Sequence, residues 1–537
     1  MSISRRQFLS WMSLFATTTG VGFTSNTLAG FATNQTGEAF DFSFEELIKQ
    51  AQQLANKAYK APPRPDAHVL DEIDWENHGK IQFDTDHALF AHGPGQFPIS
   101  FFHQGRFFRV PVRMFVLDSN EASTQAKEIV YNSNLFSMPE NSPARRLTSP
   151  AAFAGFRIQE SRLNNTAQLN WRTNDWAAFL GASYFRAIGD EYQYGLSARG
   201  VAVNVVVEGV QEEFPDFTHF YFAPPEDNSD SMIIYALLDG PSITGAYRFK
   251  ITRRHEVIME IENHLFLRKD IHRLGLAPMT SMYWFSEKDK KTAEDWRPAV
   301  HDSDGLMLWT GQDEHVWRPL NNPSGIQISS FVDNHPKGYG LMQRERRFSE
   351  YQDAVHYEKR PSLWLEPLGD WGEGAVQLVE LHTSEELYDN MVTMWVPKEK
   401  ARAGQSFHLN YRLYWQADYP FPLPLAEVCR TSIGRGGEPG VSRPPEAHKF
   451  MVEFHGDIFA TLPPNTDPFA DLWTSRGRFD LIYVERVPDG KPNQWRIIFD
   501  LILPKQDKGD PVELRLTLKS QGKVISETWV YQYLLDN

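Results

Sequence analysis

Two stretches decide the fold: Tyr247-Arg248-Phe249-Lys250-Ile251-Thr252 and Val257-Ile258-Met259-Glu260-Ile261-Glu262. Tyr247, Phe249 and Ile251 alternate with Arg248, Lys250 and Thr252, and Val257, Met259 and Ile261 return opposite Glu260 and Glu262. A period of two places one set of side chains on one face of a strand, so each stretch reads as a strand with one buried face and the pair as antiparallel neighbours. Strands of this kind recur from about residue 80 to 416 with no second helical period, which predicts an all-β protein built on one large sheet-on-sheet sandwich. The one clear helix lies before them. Ser43-x-x-Glu46 is a capping box, and Leu47, Ala51, Leu54 and Ala58 follow at helical spacing until Pro62-Pro63 is expected to stop them.

Beyond 416 the composition shifts. Tyr419-Pro-Phe-Pro-Leu-Pro424 leads into Gly434-Arg-Gly-Gly-Glu-Pro-Gly440 and Pro444-Pro445, a segment with no apolar period, so 417–446 reads as a linker and mobile loop. The glycine cluster lacks the leading strand and the Gly-Lys-Ser/Thr of a phosphate loop. From 447 to 537, short alternating runs such as Phe450/Val452/Phe454 and Trp495/Ile497/Phe499/Leu501, with turn signals such as Asp489-Gly490, predict a small immunoglobulin-like sandwich.

The chain has 537 residues, 54 Lys+Arg against 69 Asp+Glu, 37 Phe, 19 Tyr, 15 Trp and one cysteine. Length predicts at least two domains. The acidic balance argues against nucleic acid as a partner, and Cys429 alone can make neither an internal disulfide nor a cysteine metal cage. Ser4-Arg5-Arg6-Gln7-Phe8-Leu9, followed by a mostly uncharged run ending in small residues near Ala29 or Ala32, predicts a twin-arginine signal peptide over 1–32 and export to the periplasm.

Chemistry is expected from the larger domain, where acids stand beside tryptophans. Trp364, Glu366, Asp370 and Trp371 share one stretch, Asp302 and Asp304 another, and Glu385, Glu386 and Asp389 a third. Indole faces stack on sugar rings, carboxylates accept from hydroxyls, and glycosidic cleavage needs a paired acid and base, so the pattern suits sugar chemistry. His301 with Asp302 and Asp304 offers too few oxygens for calcium, and no metal or cofactor is expected. His264 and His272, between strand-like segments, read as structural histidines.

The blocks Phe153-Ala-Gly-Phe-Arg157, Phe179-Leu-Gly-Ala-Ser-Tyr-Phe-Arg-Ala187, Gln193-Tyr-Gly-Leu-Ser-Ala-Arg-Gly200, Ala277-Pro-Met-Thr-Ser-Met282, His301-Asp-Ser-Asp304, Arg318-Pro-Leu-Asn-Asn-Pro323 and Asn410-Tyr-Arg-Leu-Tyr-Trp415 resemble the osmoregulated periplasmic glucan biosynthesis proteins G and D, and the leader and Ser526-Glu-Thr-Trp-Val-Tyr-Gln-Tyr533 resemble the D branch. The resemblance implies a galactose-mutarotase-like β-sandwich over 38–416 followed by the immunoglobulin-like domain, and control of the glucose backbone of periplasmic glucans. It further implies inverting cleavage of β-1,2-linked glucan, or transglycosylation; the rival expectation is a non-catalytic glucan-binding factor assisting a membrane glucosyltransferase. Family motifs match Glu386-Leu-Tyr-Asp389-Asn390 and His301-Asp302, implying Asp389 as general acid, Asp302 as its partner on the water side and Glu386 as the group that sets the proton affinity of Asp389. Trp364, Trp371, Asp370, Arg435 and Tyr357 are assigned to the glucan groove, and the residues do not decide between monomer and homodimer.

Overall fold

Ile243–Arg253 and Val257–Leu267 form the antiparallel pair that their alternation predicts, with Tyr247 opposite Asn263, Phe249 opposite Ile261 and Ile251 opposite Met259. The structure, a computed structural model, describes residues 36–64, 66–119, 123–148, 152–163, 169–289, 295–463, 466–488, 493–504 and 510–535. The leader and the Asp489-Gly490 turn lie outside them. The chain is all-β and of the sandwich type, and it divides into two compact units: Met1–Met279 with Pro367–Gly374 and Met394–Trp415, and Thr280–Glu366 with Ala375–Thr393 and Gln416–Asn537.

In the first unit, one sheet runs in the order Thr36–Asp41, Thr124–Ile129, Arg113–Ser119, Asp216–Phe222, Ser231–Asp239, Ile243–Arg253, Val257–Leu267 and Ser406–Gln416. A second sheet contains Ile99–His103, Phe153–Gln159, Asp175–Leu180, Tyr184–Ala187 and Ser197–Arg199. The rings of Phe156, Phe179 and Phe185 stack along the second sheet at 4.7 and 5.2 Å, and they meet Phe220 and Phe249 of the first edge-on at 4.9 and 5.3 Å. Burial of each such side chain contributes about 1.5–3 kcal/mol, and edge-on geometry adds to it. Gly155 permits the close pairing beneath them, because a Cβ there would stand 2.1 Å from the carbonyl oxygen of Phe179.

The helix Phe44–Ala55 covers the outer face of the first sheet, with Leu47 and Ala51 packed among Phe115, Leu117, Tyr221 and Ala246. Ser43 caps it by accepting from the Glu46 N–H at 3.2 Å, as the capping box predicts. The helix ends sooner than the prolines require. Asn56 closes it, its side-chain amide donating to the Gln52 carbonyl at 3.2 Å, so the terminal carbonyls are satisfied before Ala58 is reached.

In the second unit the sheet order is Ser362–Pro367, Gly338–Met342, Gly305–Trp309, His315–Pro319, Thr528–Tyr533, Val512–Ser520 and Phe469–Thr474. The C-terminal strand enters in parallel beside His315–Pro319, with Val316 opposite Thr528 and Trp317 opposite Trp529. A four-stranded sheet of Glu427–Arg435, Ala447–His455, Gln494–Ile502 and Arg478–Arg486 faces it through Phe450 and Phe499, whose rings lie 6.2 and 6.3 Å from that of Trp529. The stretch read as linker and loop thus carries the strand Glu427–Arg435, whose buried positions are only Val428 and Thr431.

Candidate active site

The three residues expected to act on the glycosidic bond all fall in the second unit. The segment 381–390 connects two neighbouring strands and is closed at its base by Asn390. The Asn390 amide donates to the carbonyls of Leu381 (2.8 Å) and Tyr283 (2.9 Å), its oxygen accepts from the Tyr283 N–H (2.9 Å), and the Leu381 N–H donates to the Asn390 carbonyl (2.9 Å). Only an amide side chain donates and accepts at once in this way. Asp389 therefore rises from a fixed point, its side chain exposed, with the Thr280 hydroxyl 3.4 Å from Oδ2.

The far end of the loop is pinned by Arg318-Pro-Leu-Asn-Asn-Pro323. Asn322 donates to the carbonyls of Trp284 (3.0 Å) and Thr383 (2.7 Å) and accepts from the Thr383 N–H (2.9 Å). Arg318 and Glu380 form an ion pair at 2.8 Å with side chains 1% and 0% exposed, and Glu380 also accepts from the Asn321 N–H at 2.7 Å. Asn321 in turn donates to the Gln532 carbonyl (3.0 Å) and accepts from the Tyr531 hydroxyl (2.8 Å).

At Glu386 the Tyr357 hydroxyl donates to Oε2 at 2.9 Å, and Arg297 donates to the same oxygen at 2.6 Å. Arg297 also donates to Asp353 at 2.6 Å and embraces Asp295 through Nε and Nη2, both at 2.9 Å. Burial opposes the Arg297 charge, but Asp295, Glu386 and Asp353 outweigh it and raise its proton affinity further. Asp302 is fully buried and accepts from the buried Arg360, whose guanidinium lies over the Tyr357 ring at 4.0 Å from its centroid. Its backbone N–H donates to the Met282 carbonyl at 2.7 Å, next to the paired segments Tyr283–Phe285 and Val300–His301. Asp302 and Glu386 are thus joined through Arg360 and Tyr357.

The His301, Asp302 and Asp304 side chains do not converge. His301 contacts Gln343 Oε1 at 2.8 Å; because Gln343 Nε2 faces the carbonyls of His301 and Tyr357, its oxygen must accept, which assigns the proton to His301 Nδ1. Burial holds that imidazole below its usual range. Asp304 accepts from the backbone N–H groups of Arg344 and Glu345, both at 3.0 Å, while burial still raises its carboxyl to about 6.

The residues assigned to the groove scatter. Tyr357 belongs to the network just described. Arg435 is exposed at a strand end and, with Trp284, Asn322, Ser384 and Tyr533, lines a cavity of about 750 Å³. Trp364, 1% exposed, packs on Gly340 of the neighbouring strand and against Tyr419 at 4.7 Å, so it fills the core and has no ring face for a sugar. Trp371 and Asp370 belong to the first unit, where Trp371 is buried between Trp395 and Tyr411 and Asp370 accepts from the Gly372 N–H at 2.7 Å in a turn. Arg297, Asp353 and Arg360 carry no sequence spacing that marks them. The need of buried carboxylates for guanidinium partners is the signal that points to such residues.

Comparison with known proteins shows the family. A family model described as "Periplasmic glucan biosynthesis protein, MdoG" matches residues 42–533. The chain is 55% identical over 532 residues to "Glucans biosynthesis protein D 2" of Ralstonia nicotianae, covering 99% of this chain and 98% of that protein. It is 45% identical over 500 residues to "Glucans biosynthesis protein D" of Stenotrophomonas maltophilia (93% and 90% covered) and 41% identical over 546 residues to the protein of that name in Xylella fastidiosa (99% and 98% covered). The chain belongs to the periplasmic glucan biosynthesis protein family, and its place is the periplasm.

Proposed function

We propose that the protein shapes the glucose backbone of periplasmic glucan by cleaving β-1,2-linked chains, as an inverting endo-glucanase or as a transglycosylase. Asp389 delivers a proton to the leaving glycosidic oxygen, and the proton released by the attacking water or sugar hydroxyl passes toward Asp302. Because Asp302 is buried, that proton travels through a relay of water or substrate hydroxyls rather than in one step. Glu386 sets the charge within the acid-bearing loop, three residues before Asp389. The observation that carries this reading is the pairing of an exposed Asp389, on a loop fixed at both ends, with the Tyr357–Arg360 connection from Glu386 to Asp302. The sugar-sized cavity lined by Arg435 and Trp284 supports it.

A second reading, a non-catalytic glucan-binding factor serving a membrane glucosyltransferase, draws on the same burial of Asp302, which would then be a structural ion-pair partner. Incubating the purified protein with linear β-1,2-glucan separates them. New reducing ends report hydrolysis, a redistribution of chain length without them reports transfer, and unchanged glucan that is nonetheless bound gives the second reading.

A further inference from the structure

The outer face of the first unit's larger sheet carries a group of side chains that the glucan chemistry does not use. Val257–Leu267 pairs with Ser406–Gln416 so that His264 stands directly opposite His408, and Glu262, two residues from His264, projects from the same face. The two imidazoles stack with centroids 4.1 Å apart and planes 14° from parallel. Glu262 Oε1 lies 3.3 Å from His264 Nε2 and 3.8 Å from His408 Nε2, and the three atoms all lie within 4.8 Å of one another. Among the described residues this is the one group of three His, Cys, Asp or Glu side chains so arranged.

We propose that Glu262, His264 and His408 form a binding site for a zinc-class divalent ion, bridging two adjacent strands. Bonds of about 2.0–2.2 Å to a tetrahedral Zn²⁺ space its ligand atoms roughly 3.3 Å apart, close to the separations seen. The donors suit the ion: two imidazoles and a carboxylate select Zn²⁺, Cu²⁺ or Ni²⁺ over Mg²⁺ or Ca²⁺, which favour all-oxygen shells. The surroundings leave the right atoms available. Arg248 approaches the other Glu262 oxygen, Oε2, at 3.9 Å, so Oε1 keeps its orientation toward the histidines. The Phe44 ring packs edge-on to His264 with centroids 5.9 Å apart, which fixes that imidazole. The His408 side chain is 52% exposed; it has room to turn its Nε2 lone pair out of the stack toward the ion, and the same opening leaves a fourth position for water. The ion would clamp the strands through side chains where the ladder already joins them through backbone.

The test uses the full mature protein with its affinity tag removed, stripped with chelator and titrated with ZnCl₂ by calorimetry, with thermal melts in parallel. One ion should bind and raise the melting temperature. His408→Asn and Glu262→Gln, exposed or half-buried changes that keep the fold by circular dichroism, should each weaken binding at least about tenfold. His272→Asn, an exposed histidine elsewhere in the unit, should leave it unchanged. Absence of binding to the parent protein, or undiminished affinity in His408→Asn, overturns the site.

Discussion

Tyr357 donates its hydroxyl to Glu386 at 2.9 Å while its ring lies under the guanidinium of Arg360, 4.0 Å from the centroid. One buried side chain thereby touches both halves of the candidate site. Tyr357→Phe keeps the ring and the cation contact and removes only the hydrogen bond, which is worth about 1–2 kcal/mol. Cleavage of β-1,2-glucan should fall about tenfold with KM nearly unchanged. A reducing-end assay and a melting curve on the same preparation check this.

Asp389→Asn and Asp302→Asn should both lose activity by a factor on the order of 10²–10⁴, but they should differ in stability. Asp389 is exposed, so its replacement leaves the melting temperature near that of the parent and glucan binding intact. Asp302→Asn leaves Arg360 charged in a buried site, at a cost of about 3–5 kcal/mol. Urea unfolding distinguishes the two, and parent-rate cleavage by Asp389→Asn refutes its role as acid.

Arg435 is exposed and lines the cavity without anchoring the fold. Arg435→Ala should raise KM for glucan several-fold, about 1 kcal/mol of binding, while kcat and the melting temperature hold. An unchanged KM removes the cavity from the substrate path.

The Arg318–Glu380 pair, by contrast, is a stability element. Arg318→Met alone leaves Glu380 buried and unpaired and should destabilise by about 3–5 kcal/mol. Adding Glu380→Leu should recover part of the loss, as measured in a double-mutant cycle by urea unfolding.

Acid should weaken the first unit through His103. This ring is 2% exposed, and burial, opposed by its hydrogen bond to the Gln104 carbonyl, lowers its pKa to about 4. An unfolded histidine titrates near 6.5, so below that pH the unfolded chain takes up a proton that the folded one refuses. The stability this neutral ring provides is complete above about pH 6.5 and is lost as pH falls toward 4, about 2 kcal/mol of it between pH 7 and 5. His103→Gln should be less stable at pH 7 yet show a shallower decline, read from urea midpoints at the two pH values.

Much of this was legible in the residues because it rests on local rules. Tyr247 to Glu262 alternates, and the register follows; Ser43 and Glu46 stand at capping distance, and the helix starts there. Glu386-Leu-Tyr-Asp389-Asn390 marks a loop that does carry an exposed acid. What was not legible depends on distance along the chain. Trp364 beside Glu366 suggests a sugar platform, yet Gly340 on a neighbouring strand makes room for its indole in the core, and nothing near position 364 announces that. The strand Glu427–Arg435 hides among prolines and glycines because only one of its buried positions is a large apolar residue. Arg297 meets Glu386 across 89 residues of sequence, and Arg360 meets Asp302 across 58. Charge pairing over such separations has no period to read.

The parallel seating of Thr528–Tyr533 beside His315–Pro319 has a consequence for biogenesis. Asn321, which accepts from Tyr531 and donates to Gln532, makes its two supports with residues 210 and 211 positions later, so the anchor of the acid-bearing loop cannot assemble while the ribosome still holds the last strand. Nascent chain shorter than about residue 533 carries an unfilled slot between His315–Pro319 and Val512–Ser520, with open edges that invite pairing with other chains. Emergence of Thr528–Tyr533, rather than synthesis of the candidate acid-bearing segment, is then the event after which this unit can close, and proteolytic removal of that strand returns it to the unfinished state.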